Sequence, residues 1–433
     1  MSRSVTQSNH RAAAFSAVGL SLLFLLVYGA GNHFASTRPD LGALYLPWEH
    51  RFPFWSWMIL PYMSIDLFFF GGPFLCRDVQ ERQVLSGRIV LAILVAGIFF
   101  FGLPMRYAFA RLVPDDWTRE IFRFLHGFDA PHNLFPSLHI ALRTILADLY
   151  ARRTQGHWRW ASHVWFSLVG FSTLFTHQHH LPDILAGFVL AAFCFYAIPA
   201  RKPEISVSSN NRVGTFYAIG ATLAWGLAAL LPPWGLWFLW PAISLTLMTA
   251  AYFSLGSSVF RKTNGQLPFS SRLVLGPVLL GQWISWLYYK RQARPWDEVV
   301  PGLLVGRQLT EVEAEQATQE GVKAVLDLTG EFSAPRAFRN QAYLNVPVLD
   351  LTAPTPMQLK TACDFIEKHL RSGTVYVHCK IGFSRSVAVV GSFLIRTGVS
   401  AHFRNAVDRI RASRNAVVVR PEIWDLFSKQ DLL

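Results

Sequence analysis

Cysteine is scarce in this 433-residue chain: four residues, at 76, 194, 363 and 379, with no paired or metal-ligand spacing. That excludes a disulfide framework and gives no support to a zinc site. Acidic residues are also few, 27 against 40 Lys and Arg. Charge of either sign is thinnest at the front, where the first 289 residues hold 33 charged side chains and the last 144 hold 34. A front part so poor in charge, in a chain with 35 Phe and 15 Trp, has lipid for its solvent. The net charge of +13 is no sign of a nucleic-acid partner, because the excess sits between hydrophobic stretches, where it sets topology.

Apolar runs dominate what is present. A span needs about 20 mostly apolar residues to cross roughly 30 Å of hydrocarbon. Eight candidates follow one another: 12–31, 54–75, 87–105, 139–151 extended at its ends, 161–178, 183–200, 213–231 and 236–256. The first lacks a small-residue cleavage site after its core and reads as a retained anchor. Basic clusters fall on alternate loops: Arg3 and Arg11; Arg77, Arg82 and Arg88; Arg152, Arg153 and Arg159; Arg201, Lys202 and Arg212; Arg261, Lys262 and Arg272. The positive-inside rule puts those loops and the N-terminus in the cytoplasm. Arg143 and Asp148 interrupt the fourth span and should face a bundle interior or an aqueous cavity. One further apolar run, Leu273–Tyr289, carries Gly276, Pro277 and Gly281, which suits a bent, partly embedded segment. If it spans, the region after it lies outside; if it lies along the interface or re-enters, that region stays in the cytoplasm, as expected for a reactive thiolate that must avoid oxidation.

That region holds the most informative string, His378-Cys379-Lys380-Ile381-Gly382-Phe383-Ser384-Arg385-Ser386, after the apolar run Val375-Tyr376-Val377. A thiolate near neutral pH needs nearby positive charge and oriented backbone amides. A phosphate dianion needs the same surroundings, so one loop can cradle phosphate and activate its own nucleophile. Gly382 permits a tight turn, Arg385 can grip two phosphate oxygens, and Ser386 can hydrogen-bond the sulfur. A helix over Ser386–Thr397 would aim its N-terminus at the anion. Lys380 adds a second cation, or is a solvated loop residue that many substrates would tolerate.

A second constellation lies on the loops of the opposite face, Asn133-Leu134-Phe135-Pro136-Ser137-Leu138-His139 and His177-Gln178-His179-His180-Leu181-Pro182-Asp183. A carboxylate bonded to one ring nitrogen makes the other a better nucleophile, which would pair Asp183 with His179. His139 could then protonate a departing oxygen. Arg106 and Arg111, on the same side, could bind phosphate oxygens or anchor lipid headgroups. The histidines by themselves would also suit a metal site or interfacial polar residues.

Residues 85–200 resemble the type 2 phosphatidic acid phosphatase superfamily, near inositol phosphorylceramide synthase, on their Pro-Ser-Leu-His and Gln-His-x-x-x-Asp motifs. The resemblance implies that His179 is the nucleophile, Asp183 its orienting carboxylate and His139 the general acid. The Lys-x6-Arg-Pro motif is absent, and Thr173 stands where the third motif usually has Arg. Residues from about 295 resemble the dual-specificity branch of protein tyrosine phosphatases. Here the resemblance implies Cys379 as nucleophile, Arg385 as phosphate clamp and Asp350, 29 residues upstream, as general acid, with Asp327 the competing acid. Lys380, Gly382, Ser384 and Ser386 complete the implied substrate-binding loop. Lys380 also resembles the residue after the nucleophile in phosphatases that act on phospholipid headgroups, including phosphatidylglycerophosphate phosphatase.

The expectation is a polytopic α-helical membrane bundle of about eight spans, followed by an α/β domain with a mostly parallel sheet. Its segments are N-terminal spans at 1–84, a catalytic bundle at 85–200, further spans at 201–289 and the soluble domain at 290–433. The expected activity is phosphomonoester hydrolysis at two sites, on phospholipid headgroups, in a bacterial inner membrane, with neither cofactor nor metal. Phosphoprotein is an open second substrate of the cysteine domain. The alternative is a bundle that passes a lipid headgroup phosphate to an alcohol.

Overall fold

The computed structural model describes residues 2–201, 209–231 and 235–428, with the backbone alone at 2–9 and 128. Lys202, of the fourth basic cluster, lies outside the described residues. The chain divides into two compact units, Met1–Lys202 and Pro203–Leu433.

The first unit is helical: α1 (Ser2–Ser36), α2 (Ile59–Leu75), α3 (Val79–Gly102), α4 (Arg119–Phe128), α5 (Leu138–Arg153), α6 (Gly156–Phe175) and α7 (Leu181–Ala197). Its core repeats at helical spacing. Ile89, Ala92, Ile93, Ala96 and Phe100 of α3 meet Leu138, Ala141, Leu142, Ile145, Leu146 and Leu149 of α5, with Phe166 of α6 and Leu190 of α7. The outer face is apolar too: Leu67 is 77% and Ile98 69% exposed, as expected where the surrounding solvent is lipid. Asp78 caps α3 by accepting from Glu81 N at 2.8 Å, and Ser137 caps α5 through Ile140 N at 3.3 Å. Gly187 lets α7 approach the start of α5, since a Cβ there would sit 2.5 Å from the Ser137 carbonyl.

Among the described residues, five helical stretches are long and apolar enough to cross a membrane: His10–Ser36, Ser56–Leu75, Val79–Gly102, Asn211–Leu230 and Leu236–Leu255. By length and composition, five of the expected eight spans are thus supported. The other three expected spans are helices, but α5 and α7 have 16 and 17 residues, and α6 carries His157, Arg159 and His163. Arg143 donates to the Phe166 carbonyl at 2.5 Å, and Asp148 pairs with Arg152 at 2.9 Å and Arg88 at 3.7 Å.

The second unit begins with α8 (Asn211–Leu230) and α9 (Leu236–Ala250), which pack along each other; α9 widens into a π-helical turn at Ala251–Leu255. The debated run at 273–289 is broken at Leu275 into α10 (Phe269–Val274) and α11 (Gly276–Tyr289). At 1.5 Å per residue α11 spans about 21 Å, short of the hydrocarbon thickness. Its Trp286 donates to the Gln308 carbonyl at 3.0 Å and packs with Ala293 and Ile381, so its end lies on the following domain.

That domain is built from β1 (Trp296–Val300), β2 (Leu303–Arg307), α12 (Glu311–Gln319), β3 (Val322–Asp327), β4 (Ala342–Asn345), α13 (Pro356–Leu370), β5 (Thr374–Cys379), α14 (Arg385–Arg396), α15 (Phe403–Ser413) and α16 (Pro421–Ser428). The sheet order is β1-β2-β5-β3-β4, parallel except for β1, which pairs antiparallel with β2. Central β5 is buried on both faces at Val375, Tyr376 and Val377, as a parallel strand between helical layers must be. Thr310 and Thr355 open α12 and α13 with capping boxes to Glu313 and Gln358. Edge strand β1 carries Asp297 and Glu298, which blur its alternating period.

Candidate active sites

Strand β5 delivers Cys379 to the carboxyl edge of the sheet, and α14 begins six residues later at Arg385. Between them the loop turns at Gly382, whose φ is +78° and where a Cβ would lie 2.5 Å from the Gly306 carbonyl. Gly382 N–H points at Cys379 Sγ at 3.2 Å, and Ser386 Oγ stands 3.5 Å from the same sulfur. Burial alone would raise the Cys379 thiol; the Arg385 charge, both Ser386 contacts and the Gly382 amide outweigh it and hold the thiol below its ordinary value. The loop is also fixed from behind. Buried Arg414 donates to the carbonyls of Gly382 at 3.1 Å and Ile381 at 2.9 Å, and is itself held by Asp297 at 2.6 Å. With those carbonyls tied back, amides are left to face the pocket.

Arg385 is almost fully buried and gripped by Glu331 at 2.6 Å (Nη2–Oε1) and 3.3 Å (Nη1–Oε2), with the Val348 carbonyl at 2.8 Å. Nη1 also reaches the Leu328 carbonyl at 3.4 Å, and Asp350 faces the pair: its Oδ1 lies 3.2 Å from Arg385 Nη2, and its Oδ2 3.4 Å from Lys380 Nζ. Burial would raise the Asp350 carboxyl, yet Arg385 and Lys380 together hold it low. Asp327, the competing acid, is fully buried with Lys262 at 2.6 Å, Tyr343 OH at 2.6 Å and Thr329 N at 2.7 Å. It is a structural hub at the end of β3. Ser384 forms the N-cap of α14.

In the helical unit, His139 and His179 both line a cavity of about 120 Å³, together with Tyr28, Tyr62, Asp66 and Asp129. His139 stacks on Tyr62 with ring centroids 4.3 Å apart, and His179 Nδ1 has no hydrogen-bond partner. Thr173 orders the loop: its carbonyl accepts from both Gln178 N and His179 N at 3.0 Å. Asp183 lies 3.8 Å from His179 Nδ1, beyond hydrogen-bond reach, and its Oδ2 instead accepts His180 N at 2.9 Å, capping α7. The tight imidazole–carboxylate pair is a different one. His180 Nδ1 donates to Glu49 Oε2 at 2.8 Å while its Nε2 accepts from Ala108 N at 3.0 Å, and the ring stacks on Tyr107. Both ring nitrogens of His180 are thus engaged. Of the two arginines expected at the histidines, Arg111 stands just behind the cavity: it donates to the Asp129 carbonyl at 2.6 Å and Gln178 Oε1 at 2.7 Å and pairs with Asp129 Oδ2 at 3.8 Å. Arg106 is turned away and donates to the Leu41 carbonyl at 3.3 Å.

Residues 304–429 match the dual specificity phosphatase catalytic domain and residues 90–197 match the PAP2 superfamily. Dual specificity phosphatase 28 of Homo sapiens is 30% identical over 140 residues, 32% of this chain and 78% of that protein. This chain belongs to the dual specificity phosphatase family. It is a phosphatase fusion, in which a PAP2-like domain precedes the dual-specificity domain. Phosphatidylglycerophosphate phosphatase PTPMT2 of Arabidopsis thaliana is 29% identical over 157 residues, 35% of this chain and 68% of that protein. The crystal structure of human DUSP28 aligns at 27% identity over 31% of this chain and 92% of that one, with a TM-score of 0.28.

Sequence reasoning missed three residues that contact the cysteine site, two of them in the dual-specificity domain. Glu331 and Arg414 lie 54 and 32 residues from their partners Arg385 and Gly382. Gln282 accepts from Lys380 Nζ at 2.8 Å across 98 residues. No local spacing marks such pairs. Glu49 escaped for the same reason, 131 residues before His180.

Proposed function

We propose that this protein is a bifunctional membrane phosphatase whose cysteine site hydrolyses phosphomonoesters on phospholipid headgroups, from the cytoplasmic side of a bacterial inner membrane. The observation that carries the cysteine chemistry is the bridging of Asp350 between Arg385 and Lys380 beside a depressed thiol. The carboxylate there occupies the place of an anion. An entering phosphate dianion takes over both cations, and its charge favours the protonated form of Asp350. Cys379 Sγ then bonds to phosphorus as the P–O bond to the alcohol breaks, and Asp350 passes its proton to the departing oxygen. Water next gives a proton to Asp350 and attacks phosphorus, releasing inorganic phosphate and restoring the thiolate. Arg385, fixed by Glu331, and the loop amides stabilise charge on the three equatorial oxygens through both steps. Likeness to a phosphatidylglycerophosphate phosphatase, and fusion to apolar helices that hold the domain at lipid, support the substrate class.

For the bundle, His179 as nucleophile and His139 as general acid form the leading reading, with Asp183 ordering the loop that carries His179. A phosphotransferase reading gains from one feature. Asp66 and Asp129 line the histidine cavity, with Arg111 behind Asp129 at 3.8 Å and no Lys or Arg among the described lining residues, which suits taking a proton from an acceptor alcohol better than gripping a phosphate. Phosphate release from a panel of phospholipids and phosphopeptides, by wild type, Cys379→Ser and His179→Ala, assigns each substrate to a site. Lipid-derived phosphate that survives Cys379→Ser and His179→Ala together would refute both assignments. Label that moves to an alcohol instead of water would select transfer.

A further inference from the structure

We infer that the segments 210–231 and 235–282 form a working wall of the cysteine site, with Gln282 and Tyr252 as positioning residues, and that the site takes its phosphomonoester from a lipid at the end of the α8–α9 hairpin. The inference rests on the phosphatase reading above and narrows its substrate. The acid loop is held by three side chains that precede the dual-specificity domain. Ser257 Oγ donates to the Pro347 carbonyl at 2.7 Å, Tyr252 OH to the Asp350 carbonyl at 2.9 Å, and Asn210 Nδ2 to the Leu351 carbonyl at 2.8 Å. Leu351 itself sits at a φ of +62°, in the left-handed region that a non-glycine residue holds only when its surroundings fix it. On the other side of the pocket Gln282 Oε1 takes a proton bond from Lys380 Nζ at 2.8 Å, and the Tyr217 hydroxyl bonds to Gln282 in turn. Tyr217 stacks on Tyr252 at 5.3 Å, which joins the two sets of contacts.

Asn210, Tyr217, Tyr252, Ser257 and Gln282 all lie outside 304–429, so the pocket that the family match covers is completed from outside it. Tyr217 lies near the start of α8, and Tyr252 just past the end of α9. Both helices are long and apolar enough to span, so this end of the hairpin is a membrane–water boundary. Arg212 is exposed at the same end, where a basic residue favours an anionic leaflet, while Lys262 is taken up by Asp327. A phosphate on a headgroup in that leaflet meets Lys380 and Arg385 at the boundary, whereas a peptide must compete for a mouth walled by the hairpin.

The test uses the full chain in phosphatidylcholine vesicles doped with phosphatidylglycerophosphate, beside soluble glycerophosphate and a phosphotyrosine peptide. Wild type is expected to turn over the vesicle lipid about a hundredfold faster than either soluble probe. Gln282→Ala and Tyr252→Phe should each lower kcat on the lipid about tenfold, the value of one lost hydrogen bond to a charged or chain-fixing group. Gln282→Glu keeps the acceptor but adds negative charge, so it should restore kcat and raise KM. If both truncations stay within twofold of wild type while Cys379→Ser abolishes lipid turnover, the wall is overturned and the phosphatase reading stands. Equal rates on the peptide and the lipid overturn the substrate class. No Cys379-dependent release from lipid overturns both.

Discussion

Around Cys379, Arg385 and Lys380 face a depressed thiol and a carboxylate bridges them. Around His139 and His179 the polar lining is Asp66, Asp129, Asn133, Tyr28 and Tyr62, with no Lys or Arg among the described residues. One pocket is prepared to receive a phosphate dianion; the other holds bases and carboxyls in an apolar bundle, where a bare anion is costly. The contrast teaches that two matches to phosphatase families, in one chain, need not mean two equally equipped phosphate sites.

The sharpest way to break the comparison is to remove each nucleophile. Cys379→Ser should cost the thiol site about a thousandfold or more in phosphate release while the bundle turnover is unchanged. His179→Ala should do the reverse, and loss of both activities from either change would show that the sites are not independent. Asp350→Asn is expected to lower kcat about a hundredfold on an alkyl phosphate and much less on a nitrophenyl ester, whose departing oxygen needs no proton. Equal losses on the two would move the general acid elsewhere.

Smaller effects sharpen the electrostatics. Iodoacetamide labelling of Cys379, followed by mass spectrometry, should persist well below the pH at which an ordinary thiol ionises. Ser386→Ala should shift its half-point upward, because a hydrogen bond to the charged sulfur is lost. Glu313 is a further case: burial would raise it, but the hydrogen bonds from Arg307 and Thr310 hold it at about 2. A depressed acid contributes stability above its unfolded value and loses it as pH falls, so this contribution should disappear between about pH 4.5 and 2. Glu313→Gln should flatten that part of a chemical-denaturation profile. Least in activity terms, His180→Ala should destabilise the helical unit by about 1–3 kcal/mol, since Glu49 loses its buried partner.

The cysteine loop was legible because it is local. Nucleophile, turn glycine, clamp and helix start fall within nine residues, and the strand before and the helix after show their own periods. The helices of the front part were legible for a similar reason, through runs of apolar residues. Which of them reach across a bilayer was not, since α5 and α7 are helical for only 16 and 17 residues, and the bounds of a helix depend on neighbours that no single run reveals. The choice between His179 and His180 also needed the fold: adjacent in sequence, one faces a cavity and the other is bound on both nitrogens.

Sequence alone determined the chemistry on offer, a thiol and a guanidinium at phosphate-loop spacing and histidines on loops between apolar helices, because side-chain type and short spacing carry that information. Only the tertiary structure decided which partners tune them. Glu331, Arg414, Gln282 and Glu49 reach their sites across 32 to 131 residues of chain. Packing of distant segments, not local pattern, sets the field in which each nucleophile works.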